Sequence, residues 1–376
     1  MTENIRIHNK IDKPKNIVLK ENEAIERALE IQRLFPSFMM DYCIYLKGSI
    51  AINSRLAYLE DILFFFKYMI TEDVNLTEAK TVNDIAIEDL DKIKARDINY
   101  YIGEYCSRYY RENNSGSKII YENHNRALAR KKSSLNSLFK FLYRNEQITN
   151  NITDGFNPIK LPKPQPEAIK KLAVEEVSEL LKVVETGNGL TEKELDYWKK
   201  TRQRDKAIVT LFVTYGLRLS ELQQLNISSF NFNRNEFQIY RKRGKEATMP
   251  LNETCKHAIV EYLNGERSGL EFSEGEADAL FLSLQGKRIT ARAIRELVKK
   301  YTAIVMGTSK KSGYSPHKLR ATAASSLIEF GFSIYDVQNL LDHDNVTTTQ
   351  LYASHKKNVK KDIVDNFEWD ENKDSK

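Results

Sequence analysis

Apolar positions in this 376-residue chain recur at helical spacing over most of its length and switch to alternation in one short stretch. Between about Glu21 and Ile70, Ala24, Ile25, Ala28, Leu29 and Ile31 form one helical run before Pro36, and Phe38 to Leu46 form another. SRLAYLEDILFFFKYMI predicts a stronger helix, with Ser54 as its cap and Leu56, Leu59, Leu63, Phe66 and Ile70 on one face. Asp84 to Tyr110 predicts further helix, interrupted near Lys94 to Asp97. NHNRALARKKSSLNSLFKFLYRN closes this half: Leu128, Leu135, Leu138 and Leu142 mark a core side, and Arg126, Arg130, Lys131 and Lys132 a basic side. The first half is therefore expected to be all helical.

A break in composition follows. NPIKLPKPQPEAI, from Asn157 to Ile169, holds Pro158, Pro162, Pro164 and Pro166, half of the chain's 8 prolines, and cannot be helical. It predicts an extended, semi-rigid connector. Residues 1–156 then form a helical N-terminal domain with the first ~20 residues loosely held, residues 157–169 a linker, and residues 170–376 a second domain with a C-terminal tail. That second domain opens on the helix LAVEEVSELLKVVE, passes a polar surface insertion, TGNGLTEKELDYWKKTRQR, and reaches RDKAIVTLFVTYGLRLSELQQL. There a buried helix stops at Gly216, a new one begins near Ser220, and Arg218 sits at the break with Glu221 three residues on. NEFQIYRKRGKEATMPL supplies the alternating stretch: Phe237, Ile239, Met249 and Leu251 flank a turn around Arg243 and Gly244, with Arg241, Lys242 and Lys245 at or beside its tip. Thr290 to Tyr301, carrying Arg292 and Arg295, predicts another helix. The fold class is mainly α with a small β-hairpin or sheet in the C-terminal domain.

Composition narrows the setting. A formal net charge of +6 and a pI near 8.9 fit a polyanionic partner. Cys43, Cys106 and Cys255 are odd in number and lack paired spacing, so no disulfide framework or zinc site is indicated and a reducing cytoplasm is expected. The N-terminus lacks the apolar core of a signal peptide, and the run Ile62 to Phe66 is too short to span a bilayer. No metal or nucleotide motif is present, so no cofactor is expected.

Candidate chemistry concentrates between Ser315 and His355. Ser315 suits an N-cap, Pro316 a first helical position and Gly331 a helix end, while Leu319, Ala323, Leu327 and Phe330 mark a core face. His317 and Arg320, three apart near the helix start, invite an anionic oxygen. Ser333 suits the cap of a second helix with Ile334, Val337, Leu340 and Leu341 as its buried stripe and His343 just past its end; Tyr352 follows the Thr347 to Thr349 run. Singly, each residue reads as structural; their order is what carries weight.

That order, YGLRLSEL, a lysine-bearing hairpin ending in Pro-Leu, HKLR, LLDH and TTTQLY, resembles the tyrosine recombinase (phage integrase-like) family from about Phe38 to Phe367. The Pro-rich connector is most similar to the Xer branch, and the long polar insertion before Arg218 to the single-recombinase form called XerS. The resemblance implies a two-domain DNA clamp and a metal- and ATP-independent enzyme that cleaves and rejoins DNA through a 3′-phosphotyrosyl bond. In it Arg218 and Arg320 are the paired arginines, Lys242 the hairpin lysine, His317 and His343 the two histidine positions and Tyr352 the nucleophile. Glu221 is a supporting acid, and Lys245 a second candidate for the general acid. Asp342 departs from the family, which usually has Gly before this histidine, and Ala321 stands where a His is frequent.

The residue types suit the chemistry independently. In-line attack on a phosphodiester builds charge on non-bridging oxygens that two guanidiniums can hold. A tyrosine with a pKa of about 10 needs such a cationic site and a nearby base; His317 is the choice for that base or for orienting the phosphate. The leaving 5′-oxygen needs a proton, for which Lys242 is placed. Expected partners are a double-stranded DNA recombination site, a homotetramer on two sites, and a DNA translocase or accessory factor, with no membrane. Arg126, Arg130, Lys131, Lys132, Arg241, Arg243, Arg292 and Arg295 are the candidate DNA contacts. The leading reading is site-specific recombination, including resolution of chromosome dimers at cell division. A phage or conjugative-transposon integrase, a type IB topoisomerase and a non-catalytic DNA-binding protein are the competitors.

Overall fold

The computed structural model describes residues 14–71, 74, 76–113, 116–161, 170–241 and 245–342. The chain divides into two units, 1–163 and 164–376, parting within the proline-rich stretch.

The first unit is built from six helices among the described residues: α1 (Lys15–Gln32), α2 (Met39–Ser49), α3 (Ile52–Met69), α4 (Ile87–Lys92), α5 (Ala95–Tyr100) and α6 (Asn125–Arg144). Its core is aromatic. Phe65, Phe66, Tyr68 and Phe139 are buried with Tyr101, and Phe65 meets Tyr101 edge-on at 4.9 Å between centroids. Leu128, Leu135, Leu138 and Leu142 of α6 face this core, as their spacing predicts. Helix α3 is capped three residues earlier than expected: Ala51 is its N-cap, and Ser54 lies inside the first turn. The predicted interruption falls between α4 and α5, where the Lys94 backbone N–H donates to Asp97 Oδ2 at 2.9 Å.

The all-helical expectation for this half is wrong. After α5 a π-helical turn, Tyr101–Tyr105, leads into an antiparallel hairpin of β1 (Arg108–Glu112) and β2 (Lys118–Glu122). The hairpin has its own sequence signal. Asn113, Gly116 and Ser117 supply turn chemistry, Gly116 adopts φ +75°, and β-branched or aromatic residues occur in both arms.

The second unit's core gathers α7 (Val174–Thr186), α9 (Arg202–Tyr215), α11 (Glu253–Asn264) and α12 (Ala291–Val305) around Leu180, Ile208, Phe212, Ile259 and Val298. The polar insertion is not merely a surface excursion. It contains α8 (Glu192–Trp198), and Trp198 packs on the core and donates its indole N–H to the Val184 carbonyl at 2.8 Å. β3 (Phe230–Asn231), β4 (Glu236–Tyr240) and β5 (Glu246–Pro250) form an antiparallel sheet in that order, with Phe237 opposite Met249 and Ile239 opposite Ala247. The alternation read from the sequence is this register, with Phe237, Ile239 and Met249 buried. The short α10 (Leu219–Gln223), α13 (Pro316–Glu329) and α14 (Ile334–Leu341) complete the described unit.

Cys43, Cys106 and Cys255 are free and buried. Among the described residues no helix is long and apolar enough to cross a membrane, and no cluster of metal-ligating side chains occurs.

Candidate active site

The site begins at a left-handed turn that favours glycine. Helix α9 ends at Gly216, whose φ is +57°, and a Cβ there would stand 2.7 Å from Leu341 Cδ2 and 3.3 Å from Ala323 Cβ. Without a side chain, the α9–α10 turn lies directly against α13 and α14. The Gly216 carbonyl then accepts a 2.6 Å hydrogen bond from Arg320 Nη1. Two residues later Arg218 is the N-cap of α10, and Glu221, buried, accepts from its backbone N–H at 2.8 Å and from its Nη1 at 2.7 Å. The buried carboxylate thus fixes both ends of Arg218.

Helix α13 starts as the sequence predicts, with Ser315 as N-cap and Pro316 at the first helical position. It buries Leu319, Ala323 and also Arg320, which is only 4% exposed. Phe330, expected on the core face, is instead exposed at the helix end before Gly331, whose φ is +95°. His317, on the first turn, is exposed. Partial desolvation, then the neighbouring Lys318 and Arg320 cations, hold its pKa below the usual histidine range, so the neutral imidazole is favoured. A neutral imidazole is the form that can take a proton.

Ser333 caps α14, accepting from the Asp336 N–H at 3.1 Å. The far end of that helix is where the site converges. Its carbonyls would be left without intrahelical partners, and three arginines from three separate elements take them in succession. Arg241, just past β4, donates Nη2 to the Leu340 carbonyl at 2.7 Å, Arg320 of α13 donates to the Leu341 carbonyl, and Arg218 of α10 donates Nη2 to the Asp342 carbonyl at 2.8 Å. Cations at a helix C-terminus are also favoured by its dipole.

Asp342 itself is the C-cap in the left-handed conformation, φ +51° and ψ +56°. Aspartate is among the few residues other than glycine that tolerate this geometry. Its carboxylate lies 3.9 Å from Arg218 Nη1 and 3.8 Å from Arg241 Nη1.

The predicted DNA contacts divide sharply. Arg126, Arg292 and Arg295 are exposed on α6 and α12. Arg130 and Lys131 instead pair with the buried Asp61 at 2.5 and 3.2 Å, and Lys131 is itself buried. Lys132 donates to the carbonyls of Phe156 and Asn157. Arg241, also named among the DNA contacts, is buried and turned toward the end of α14. Lys245 is exposed, and its carbonyl accepts from the Arg241 N–H at 2.7 Å. Lys242, Arg243, His343 and Tyr352, with the tail after Tyr352, lie outside the described residues. Arg241's inward role carried no sequence signal, since an arginine in a basic hairpin reads as exposed.

Helical units, a small sheet and a paired-arginine centre define a class, and residues 170–359 match the model of the phage integrase family. The chain belongs to that family, the tyrosine recombinases, and is a DNA-cleaving and rejoining enzyme. It is 33% identical over 311 residues to "Tyrosine recombinase XerC" of Caldanaerobacter subterraneus subsp. tengcongensis, covering 80% of this chain and 77% of that protein. To "Tyrosine recombinase XerD" of Oceanobacillus iheyensis it is 32% identical over 240 residues, 64% and 75% of the two chains. In fold it is similar to the XerH site-specific recombinase in a post-cleavage complex with palindromic difH substrate, with a TM-score of 0.59 at 18% identity over 94% of this chain and 89% of that one. It also resembles a lambda integrase (75–356) dimer bound to a COC′ core site, with a TM-score of 0.53 at 15% identity over 90% and 99%.

Proposed function

We propose that this protein is a site-specific recombinase of the Xer type, acting on a double-stranded DNA site as a homotetramer on two sites and resolving chromosome dimers at cell division. The observation that carries the chemistry is the seating of Arg218 and Arg320 on the carbonyls of Asp342 and Leu341, directly before His343 in the chain. Two guanidiniums converging on one short segment bring concentrated positive charge to a place where an anionic phosphate can be held. The Tyr352 hydroxyl attacks phosphorus, its proton passing to the neutral His317, and a 3′-phosphotyrosyl bond forms. The phosphorus–oxygen bond to the 5′ side breaks, and that oxygen takes a proton from Lys242. Religation runs the same steps backwards with a new 5′-hydroxyl, so the bond energy is kept in the phosphotyrosyl ester.

The Xer assignment rests on the relatives named XerC and XerD. An integrase of a phage or conjugative transposon would use the same centre, and the two readings separate on the DNA. A solitary chromosomal gene with a distant palindromic site supports Xer, whereas a gene abutting paired attachment repeats supports an integrase.

A nicked duplex carrying a site selected from random-sequence DNA by the protein itself tests the chemistry. In EDTA it should trap a covalent protein–DNA adduct that Tyr352→Phe abolishes. No adduct, or one that survives Tyr352→Phe, sinks the mechanism.

A further inference from the structure

The third arginine on α14 has no role in the chemistry just proposed. Arg241 is buried, its side chain only 6% exposed, at the point where β4 gives way to the hairpin turn. Burial, first, and the neighbouring Arg218 cation lower its pKa, so its charge is kept in place at a cost. Its partners are the Leu340 carbonyl at 2.7 Å, the Met249 sulfur at 3.4 Å and the Asp342 carboxylate at 3.8 Å. A surface lysine hairpin has no need of such an anchor. The connection made is specific: it ties the stem of the β4–β5 hairpin to the last turn of α14. The chain's next residue after Arg241 is Lys242, and the next after Asp342 is His343. The clasp therefore joins the two described positions that immediately precede these residues in the chain.

We propose that Arg241 is a positioning residue for strand cleavage, clasping the hairpin to the end of α14 so that the general acid that follows it is delivered to the leaving 5′-oxygen. Asp342 is the other half of the clasp. Glycine at 342 would satisfy the left-handed cap but offer Arg241 no carboxylate, so Arg241 and Asp342 act as a pair. The inference rests on the recombinase reading above and deepens it.

The test compares two versions of one nicked site, with an ordinary oxygen ester or a 5′-bridging sulfur at the scissile phosphate. A thiolate, whose acid has a pKa of about 8.5 as in cysteine, leaves without being protonated, whereas an alkoxide needs the general acid. Arg241→Met should slow cleavage of the oxygen ester about 30-fold and of the sulfur ester less than about 3-fold. Arg241→Lys should recover part of the loss. Asp342→Asn, which keeps the left-handed cap, should slow the oxygen ester by roughly 5-fold, and the double variant should be no slower than Arg241→Met, because the same contact is lost. Lys242→Ala should reproduce the sulfur-selective pattern more strongly. Equal slowing of both esters by Arg241→Met would show that Arg241 serves the fold or the phosphate, and an unaltered rate on both would show that the clasp has no part in cleavage. A sulfur-selective pattern from Lys245→Ala instead of Lys242→Ala would also overturn the proposal. A wild-type protein that cleaves neither ester would overturn the recombinase reading itself, whatever Arg241 does.

Discussion

Two groups of basic side chains, three on α6 and three around the end of α14, look interchangeable in the sequence and do opposite things in the structure. On α6, Arg130 and Lys131 are consumed by one carboxylate, Asp61, and Lys132 by the carbonyls at the start of the linker. At α14, Arg218, Arg241 and Arg320 are seated mainly on neutral carbonyls. Both groups keep a formal excess of positive charge, with three cations against Asp61 on α6 and three against Glu221 and Asp342 at α14. What differs is where the cations are directed: those of α6 tie that helix to α3 and to the start of the linker, whereas the three arginines converge from separate elements on the end of one helix. Counting basic residues finds both groups; only the placement of their partners separates them.

The largest effect that could break this comparison is at Arg320. Arg320→Ala should lower the cleavage rate on the nicked site by about 10²–10³, the scale of removing one oxyanion donor. Single-turnover adduct formation measures it, with site binding followed in parallel. A rate within a few-fold of wild type, in a protein that still binds the site, would mean that the seated guanidiniums are only a helix cap.

The converse prediction is at Asp61. Burial outweighs its two cations and holds the carboxyl above the usual carboxylate range, so this is an ion pair that costs desolvation to form. Asp61→Asn leaves the Lys131 ammonium buried over the Phe64 ring, 4.3 Å from its centroid. Breaking a buried pair in this way costs about 3–5 kcal/mol, and Asp61→Asn/Lys131→Met should recover most of it because the stranded charge is gone. Denaturant unfolding measures both. Cleavage below the unfolding transition should be unchanged, and a loss of cleavage in the folded Asp61→Asn protein would mean that α6 belongs with the α14 group after all.

These two outcomes also mark what the sequence could and could not disclose. Caps, breaks and alternation are local, so Ser315, Pro316, Ser333, the Gly216 turn and the β4–β5 register were legible, as was the order of arginines and histidines that carries the family resemblance. The hairpin of β1 and β2 is legible too, through its Asn and Gly turn, although its first residues fall within the stretch to Tyr110 that the spacing predicts as helix. Partnerships across the chain were not. Asp61 and Lys131 are 70 residues apart and Arg241 and Leu340 are 99 apart, and no periodicity connects either pair. Asp342 shows both sides: its departure from glycine was visible, whereas its left-handed cap and its place beside Arg218 and Arg241 required the fold.

The smallest predicted effect concerns the cations that neither group uses. Arg126, Arg292 and Arg295 are exposed, and none has an ion pair among the described residues. If they touch DNA phosphates, each alanine substitution should weaken binding at all sequences alike and flatten the slope of log K against log salt by about 1. Lys131→Met should leave that slope unchanged, because an ammonium already paired inside the unit releases no counterion from DNA. Binding isotherms across a salt series separate the two. A slope that responds to Lys131 but not to Arg126 would invert the assignment of α6, placing the buried lysine on the DNA and the exposed arginine in the solvent.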